Sequence, residues 1–251
     1  MRDILAVVKF SFLETLRERF SLVIIISAVG LLLLGFLVSS LGGEQPARII
    51  FDVNIAGIEF LGMLVALFLF AGFMYREMEQ RTIALTLVRP ISRWRYLVGK
   101  FFGLYLAIGL LVTIGGFLNI LLLLVRRAPI TGYFSFLILA LLKIFLISVV
   151  AIFFSFLTTS LVSSLVISFS FWILGHFSPE ISFIGKYSRT LLPKIIARIL
   201  GLILPNFSLY NWREMGTQVG VIDWSKIVIY TLIYGLSFFL GSYLLFRKKE
   251  F

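Results

Sequence analysis

Long apolar runs constrain this chain more than any other feature of its sequence. They reach about 20 residues, the length of α-helix that crosses a hydrocarbon core of ~30 Å, as in the run beginning at Phe20 with FSLVIIISAVGLLLL. Only 14% of the residues are charged, whereas soluble domains carry roughly 25%. No polar stretch is long enough to bury a core of its own. The sequence therefore predicts an all-α polytopic membrane protein whose residues 1–251 form a single transmembrane domain.

The charge balance and the absence of cysteine exclude several classes of function. The formal net charge is +11, which in a soluble protein would suggest a nucleic-acid partner. In a membrane protein, Lys and Arg instead flank the spans and face lipid headgroups. We therefore expect membrane lipids as partners and no nucleic acid. Because the chain contains no cysteine, disulfides, thiolate metal sites and cysteine nucleophiles are excluded.

The one long polar segment between two strongly apolar blocks is 76–100, REMEQRTIALTLVRPISRWRYLVGK, here called the basic segment. Only Glu77 and Glu79 oppose its six basic residues. These are Arg76, Arg81, Arg89, Arg93, Arg95 and Lys100. A loop this basic beside two spans is held on the cytoplasmic side of a bilayer. Every other span then takes its direction from this segment.

The apolar runs predict six spans with both chain ends in the cytoplasm. The spans cover approximately 20–41, 55–75, 97–125, 133–157, 161–177 and 225–246. The basic residues 247–249 satisfy the positive-inside rule in this arrangement. Residues 3–19 combine apolar positions at helical spacing with a charged opposite side, which predicts a helix in the membrane interface. The alternative for residues 3–19 is an ordinary cytosolic tail.

Residues 178–224 form the outer loop in this topology, although they contain several basic residues. Long translocated segments do not follow the charge rule strictly. Within the loop, basic residues are spaced among apolar ones over 187–204, which favours an outer interfacial or re-entrant helix before the last span. Pro193 begins or breaks this helix and Pro205 ends it. The rival interpretation, a seventh span, requires a stretch that is too short and too charged.

Helical spacing of apolar residues from Arg76 to Val88 predicts an amphipathic cytoplasmic helix within the coupling region 76–96. Pro90 disfavours a helical residue before it and ends the element, and Ser92 is placed to cap the next helix. Such a helix can carry force from a cytosolic partner to the spans. The alternative is a solvated loop whose charges serve topology only. In the third span, Gly99 and Gly103 lie one turn apart, which permits close approach of another helix.

The sequence contains no recognisable catalytic or metal centre. A phosphate-binding loop of the form GxxxxGK[ST] is missing, because Phe101 follows Gly99-Lys100. The chain is therefore expected not to hydrolyse nucleotide by itself. His176 is the single histidine and has no metal-ligand spacing to a partner, which favours a structural or interfacial role over a catalytic one. No residue is predicted to be catalytic or to bind metal.

Three residues inside the predicted spans are candidates for a substrate pathway, because polar and ionisable groups are costly in a membrane. Lys143 falls near the middle of the fourth span and Glu59 about one turn inside the outer end of the second. The two either pair or line a polar path. Otherwise Glu59 reaches the interface and Lys143 snorkels or meets a backbone carbonyl. Asn119 in the third span is most simply an interhelical hydrogen-bonding residue.

The basic segment resembles the intracellular loop of ABC-transporter permease subunits of the second export family. That loop has an acidic pair, then Arg-Thr, a Pro-(Ile/Val)-Ser-Arg turn and a Tyr-x-x-Gly-Lys entry to the third span. The matching residues here are Glu77, Glu79, Arg81, Thr82, Pro90, Ser92, Arg93, Tyr96, Gly99 and Lys100. ETLRERF at 14–20, LPNFSLYNW at 204–212 and the terminal FRKKEF also resemble the family, so the likeness extends over nearly the whole chain.

The resemblance implies a permease subunit of an ATP-driven exporter in the cell membrane. Such subunits have six spans and work as dimers, identical or paralogous, with two cytosolic P-loop ATPases that bind ATP and Mg²⁺. It also implies that residues 76–88 act as a coupling helix docked on the ATPase. The residues expected to couple are Glu77, Glu79, Arg81, Thr82, Arg89, Pro90 and Arg93. A periplasmic or cell-surface protein is a further candidate partner. The alternative function is a membrane anchor or assembly scaffold without transport.

Overall fold

The computed structural model describes residues 2–17, 19–41, 46–73, 75, 92–125, 132–211 and 222–248. All regular secondary structure in these ranges is helical, with nine α-helices and one short 3₁₀ helix. The helices are α1 (Arg2–Arg17), α2 (Arg19–Leu41), α3 (Pro46–Ala71), α4 (Arg93–Val125), α5 (Tyr133–Leu157), α6 (Leu161–His176), α7 (Ser178–Tyr187), α8 (Leu191–Ile203), the 3₁₀ helix (Phe207–Tyr210) and α9 (Trp224–Lys248). The predicted all-α class is therefore confirmed for these ranges.

Four helices, α3, α4, α5 and α9, are long and apolar enough to cross a membrane. Helices α6 and α7 together meet the same test but are bent by 59°, as in a broken span or a re-entrant loop. In α2 the described apolar stretch Ala28–Val38 is shorter than a span. The structure thus supports a multi-pass membrane protein with four or five spans among its described residues. The full set of six spans and the side on which each terminus lies remain predictions.

Helix α5 occupies the centre of the bundle because it is apolar on nearly every face. Most of its side chains between Leu139 and Phe156 are buried, and it contacts α3, α6 and α9. A helix that is apolar all round is stable only when other helices or lipid surround it. The main apolar core therefore forms where α3, α4 and α9 pack around α5.

Helix α1 packs lengthwise on the first turns of α4, which confirms the predicted close approach at Gly99 and Gly103. A Cβ built on Gly103 would lie 2.6 Å from the Ser11 Cβ and 2.7 Å from the Val8 carbonyl oxygen. Lys100 in α4 donates to the Glu14 carboxylate at 2.9 Å, and the Lys100 side chain is nearly buried. The two glycines thus allow the backbones to touch, and the ion pair fixes their register. The predicted interfacial position of α1 stays a prediction.

Helix α3 begins nine residues earlier than the predicted start of the second span at residue 55, since its first residue is Pro46. Proline is common in turns, but it is equally suited to the first helical position, where no N–H partner is needed. Because α3 begins earlier than predicted, Glu59 lies at the middle of this helix and not one turn from its end.

The region between α6 and α9 contains more helix than the sequence predicted. The helix expected within 187–204 is present as α8, with Pro193 in its first turn and its end two residues before Pro205. Its outer interfacial or re-entrant position stays a prediction. Helix α7 was not predicted and begins at Ser178-Pro179, where proline again occupies the first turn. Asp223 caps α9, because its Oδ1 accepts from the Ser225 hydroxyl at 2.6 Å and from the Lys226 N–H at 3.1 Å. These hydrogen bonds lower the pKa of the Asp223 carboxyl.

Candidate functional site

An ion pair joins the two charged residues that the sequence placed inside spans. Lys143 Nζ donates to Glu59 Oε1 at 2.5 Å, which links the middle of α5 to the middle of α3. The Lys143 side chain is 5% exposed and the Glu59 side chain is 27% exposed. The structure thus contains the pairing that the sequence left open, and the role of the two residues in a substrate path stays a prediction.

Asn211 is a third member of this polar cluster. Its Oδ1 accepts from Lys143 Nζ at 2.7 Å, and the Phe207 ring lies 5.7 Å from the same nitrogen. Both residues come from the short segment between α8 and α9. The Lys143 charge is therefore met by a carboxylate, an amide oxygen and an aromatic face, which together compensate for its removal from water.

The ion pair lies at one end of a cavity of about 360 Å³. Its walls come from α3, α5, α6 and the 3₁₀ helix. They are formed by Ile55, Ala56, Glu59, Phe60, Phe136, Ala140, Lys143, Trp172, His176, Tyr210 and Asn211. Mostly apolar and aromatic walls with a few convergent polar groups are typical of ligand sites. The cavity is thus suited to hold a small molecule or part of a larger one.

His176 lines this cavity through aromatic contacts. Its Nδ1 lies 2.8 Å from the Trp172 carbonyl oxygen, and its ring packs against the rings of Trp172 and Phe207. No group of three or more metal-ligating side chains occurs among the described residues. These contacts agree with the predicted structural role of His176 and also place it on the cavity wall, which its position in the sequence did not indicate.

A comparison with protein families decides the class of the chain. The model of the ABC-2 family transporter protein matches residues 29–251, which include every residue of the cavity. The chain belongs to the ABC-2 transporter family. No curated protein matches it. Membership agrees with the resemblance seen in the basic segment, indicates an ABC transporter permease and implies in general a partner subunit that binds ATP.

In this ABC-2 family member the start of α4 is held from two sides. Arg95 Nη1 lies 3.2 Å from the Asp3 carboxylate in α1, and Arg93 Nη1 donates to the Arg247 carbonyl at the end of α9 at 2.8 Å. The first residues of α1, the start of α4 and the end of α9 therefore share one end of the bundle. Of the predicted coupling residues, Arg93 alone lies in the described part of the chain.

The remaining coupling residues predicted for the ABC-2 chain are Glu77, Glu79, Arg81, Thr82, Arg89 and Pro90. They lie outside the described residues, as does the predicted coupling helix 76–88. Their role therefore stays a prediction.

Asn119 belongs to a separate polar network and does not line the cavity of this ABC-2 protein. Asn54 Nδ2 donates to Asn119 Oδ1 at 3.0 Å, and Asn119 Nδ2 donates to the Tyr133 hydroxyl at 3.1 Å. The Tyr133 hydroxyl in turn donates to the Gly116 carbonyl at 3.0 Å. The network ties α3, α4 and α5 together, which confirms the predicted interhelical hydrogen bond of Asn119.

Proposed function

We propose that the chain is the permease subunit of an ATP-driven ABC exporter. It forms the substrate pathway as a dimer and is driven by a separate cytosolic P-loop ATPase, on which ATP and Mg²⁺ bind. The observation that carries the proposal is the Glu59–Lys143 pair, at mid-helix beside a cavity, in a chain of a transporter family. Paired ionisable groups at that depth are typical of substrate pathways.

The shape of the bundle supports a one-sided cavity. Lys143 and the cavity residues of α5 lie in the first half of that helix, which follows the end of α4. Beyond the ion pair, the side chains of Met63, Ala66, Ile147 and Val150 are buried in the main core. The cavity therefore opens in the half of the bundle away from the start of α4. In the proposed topology, this is the half away from the cytoplasm.

Coupling in this proposal runs through the basic segment, which connects α3 to α4. Residues 76–88 dock on the ATPase, and movement of the segment shifts α3 and α4 together. Because α4 is bound to α1 and α9 at the same end, a displacement there reaches three helices. Glu59 on α3 then moves relative to Lys143 on α5, which changes access to the cavity.

The coupling proposal is tested by purifying the chain together with its candidate ATPase. We expect the Glu79→Ala/Arg81→Ala variant to lower recovery of the complex, or its ATPase rate, by about ten-fold or more, as for loss of a buried charged interface contact. The matched control is Arg48→Ala/Asp52→Ala. It removes an opposite-charge pair from the far end of α3, where both side chains are largely exposed. Equal recovery of the complex and equal ATPase rates for the two double variants would contradict the coupling role.

A further inference from the structure

Helices α7 and α8 form a hairpin that projects from the bundle, here called the α7–α8 hairpin. A Cβ built on Gly185 would lie 2.7 Å from the Ala197 Cβ, so the two helices touch at this point. Helix α8 packs chiefly on α7, and its end is tied to α9 by the Tyr234 hydroxyl, which donates to the Ile203 carbonyl at 2.8 Å. Most of the hairpin surface is left uncovered by the rest of the described chain.

The uncovered surface is strongly apolar. Ten large apolar side chains of the hairpin are exposed, seven of them on α8, with Leu191 77% and Leu202 78% exposed. Exposure of a contiguous apolar surface of this kind to water is unfavourable, so such a surface marks contact with a membrane or another protein. It extends over both helices and occupies one face of α8, as expected for an amphipathic hairpin that lies in a bilayer interface.

The same hairpin is basic. Lys186, Arg189, Lys194 and Arg198 are all exposed, whereas Glu180 is its single acidic residue. A groove of about 620 Å³ runs between the two helices. Lys194 and Arg198, one helical turn apart, line it together with the Ser182 hydroxyl and the apolar side chains of Leu191 and Leu202. Within the described ranges no carboxylate forms an ion pair with Lys194 or Arg198.

We propose that this groove binds an anionic phospholipid of the surrounding bilayer. The guanidinium of Arg198 and the ammonium of Lys194 contact the headgroup phosphate, since a guanidinium matches two phosphate oxygens at once. The apolar side chains that flank them contact the first part of the acyl chains. Basic pockets beside membrane helices recognise anionic headgroups in this way.

Charge favours a lipid over a second copy of the chain as the occupant. A twofold contact between two copies places the same patch on both sides. Four basic residues on each hairpin would then face a patch with Glu180 as its single carboxylate, and the excess positive charge costs free energy in a partly desolvated interface. An anionic bilayer supplies both the apolar contact and the missing negative charge.

The test uses the full-length protein in neutral detergent, titrated with dioleoyl phosphatidylglycerol or dioleoyl phosphatidylcholine and observed by native mass spectrometry. The first lipid should bind about 25-fold more tightly, since Lys194 and Arg198 each add roughly a factor of five. Lys194→Gln/Arg198→Gln should remove this preference. The control Lys186→Gln/Arg189→Gln removes equal charge from the same hairpin outside the groove and should retain most of it.

Three outcomes would overturn the lipid site. They are equal binding of the two lipids by the wild type, full preference in the groove variant, and an equal loss in both double variants. A fourth is that the wild type forms a dimer, that Leu202→Glu converts it to a monomer, and that the variant keeps the lipid preference of the wild type. All four basic side chains are exposed, so thermal unfolding should be unaltered in both double variants. Because no ATPase is present, the result is independent of the proposed transport function.

Discussion

Replacing Glu59 with leucine is expected to lower the free energy of unfolding by about 2–3 kcal/mol, at or below the low end for breaking a buried ion pair because Glu59 is partly exposed. The substitution leaves the buried Lys143 ammonium with Asn211 Oδ1 as its remaining oxygen acceptor in the described structure. Equilibrium unfolding of the detergent-solubilised chain in a denaturant series measures the change.

Substitution of the other member of the ion pair provides an internal check. Lys143→Met should cost less than Glu59→Leu, because the Glu59 carboxylate is more exposed than the ammonium and can be solvated. The double variant Glu59→Leu/Lys143→Met should recover most of the loss, since no uncompensated charge remains. Asp52→Leu is the control, because it disrupts an exposed pair on the same helix and should cost less than about 1 kcal/mol. Equal losses at positions 52 and 59 would contradict a buried pair.

Replacing Gly103 with alanine should destabilise the contact between α1 and α4 by about 1–3 kcal/mol, the usual cost of overpacking. The added methyl group would meet the Val8 backbone carbonyl at 2.7 Å, and a backbone atom cannot turn aside as a flexible side chain can. Helix α1 must therefore shift as a whole. Thermal unfolding and the rate of proteolysis within α1 both report this change.

Gly109→Ala is the matched control on the same helix. A Cβ there meets one atom within 4 Å, a methyl group of Leu141 at 3.9 Å. This variant should gain stability, because alanine is favoured over glycine within a helix by about 0.5–1 kcal/mol. Opposite signs at positions 103 and 109 are expected. A gain of stability at both would mean that α1 does not rest on Gly103.

The long apolar helices could be predicted from the sequence because their signal is local. The structure places α5 at Tyr133–Leu157, in agreement with the predicted limits, and α9 at Trp224–Lys248, within two residues of them. The start of α3 could not be predicted, since Pro46 suits a turn and a first helical position equally well. Helix α7 was missed for a related reason, because Ser178-Pro179 marks the end of one apolar run and the start of a short new helix.

The charged residues of the candidate site could be predicted from the sequence, whereas the residues that contact them could not. Lys143 and Glu59 are conspicuous within apolar runs, but the contact between them joins residues 84 apart in sequence and depends on how α3 packs on α5. Asn211 lies 68 residues from Lys143, and an asparagine in a polar loop carries no signal of such a contact. The same holds for Gly99 and Gly103, whose spacing predicted a close helix without indicating that α1 provides it.

The proposed transport mechanism requires that access to the cavity changes with the state of the ATPase. Because the chain contains no cysteine, a single Ala56→Cys substitution on the cavity wall provides a specific label site. In membranes that contain the chain and its ATPase, a membrane-impermeant maleimide should label this site several-fold faster in one nucleotide state than in the other. The two states are nucleotide-free and trapped with ATP by a hydrolysis-deficient ATPase. Ser225→Cys, at the exposed start of α9, should label equally in both. Equal rates at position 56 would contradict transport through this cavity and favour a static membrane scaffold.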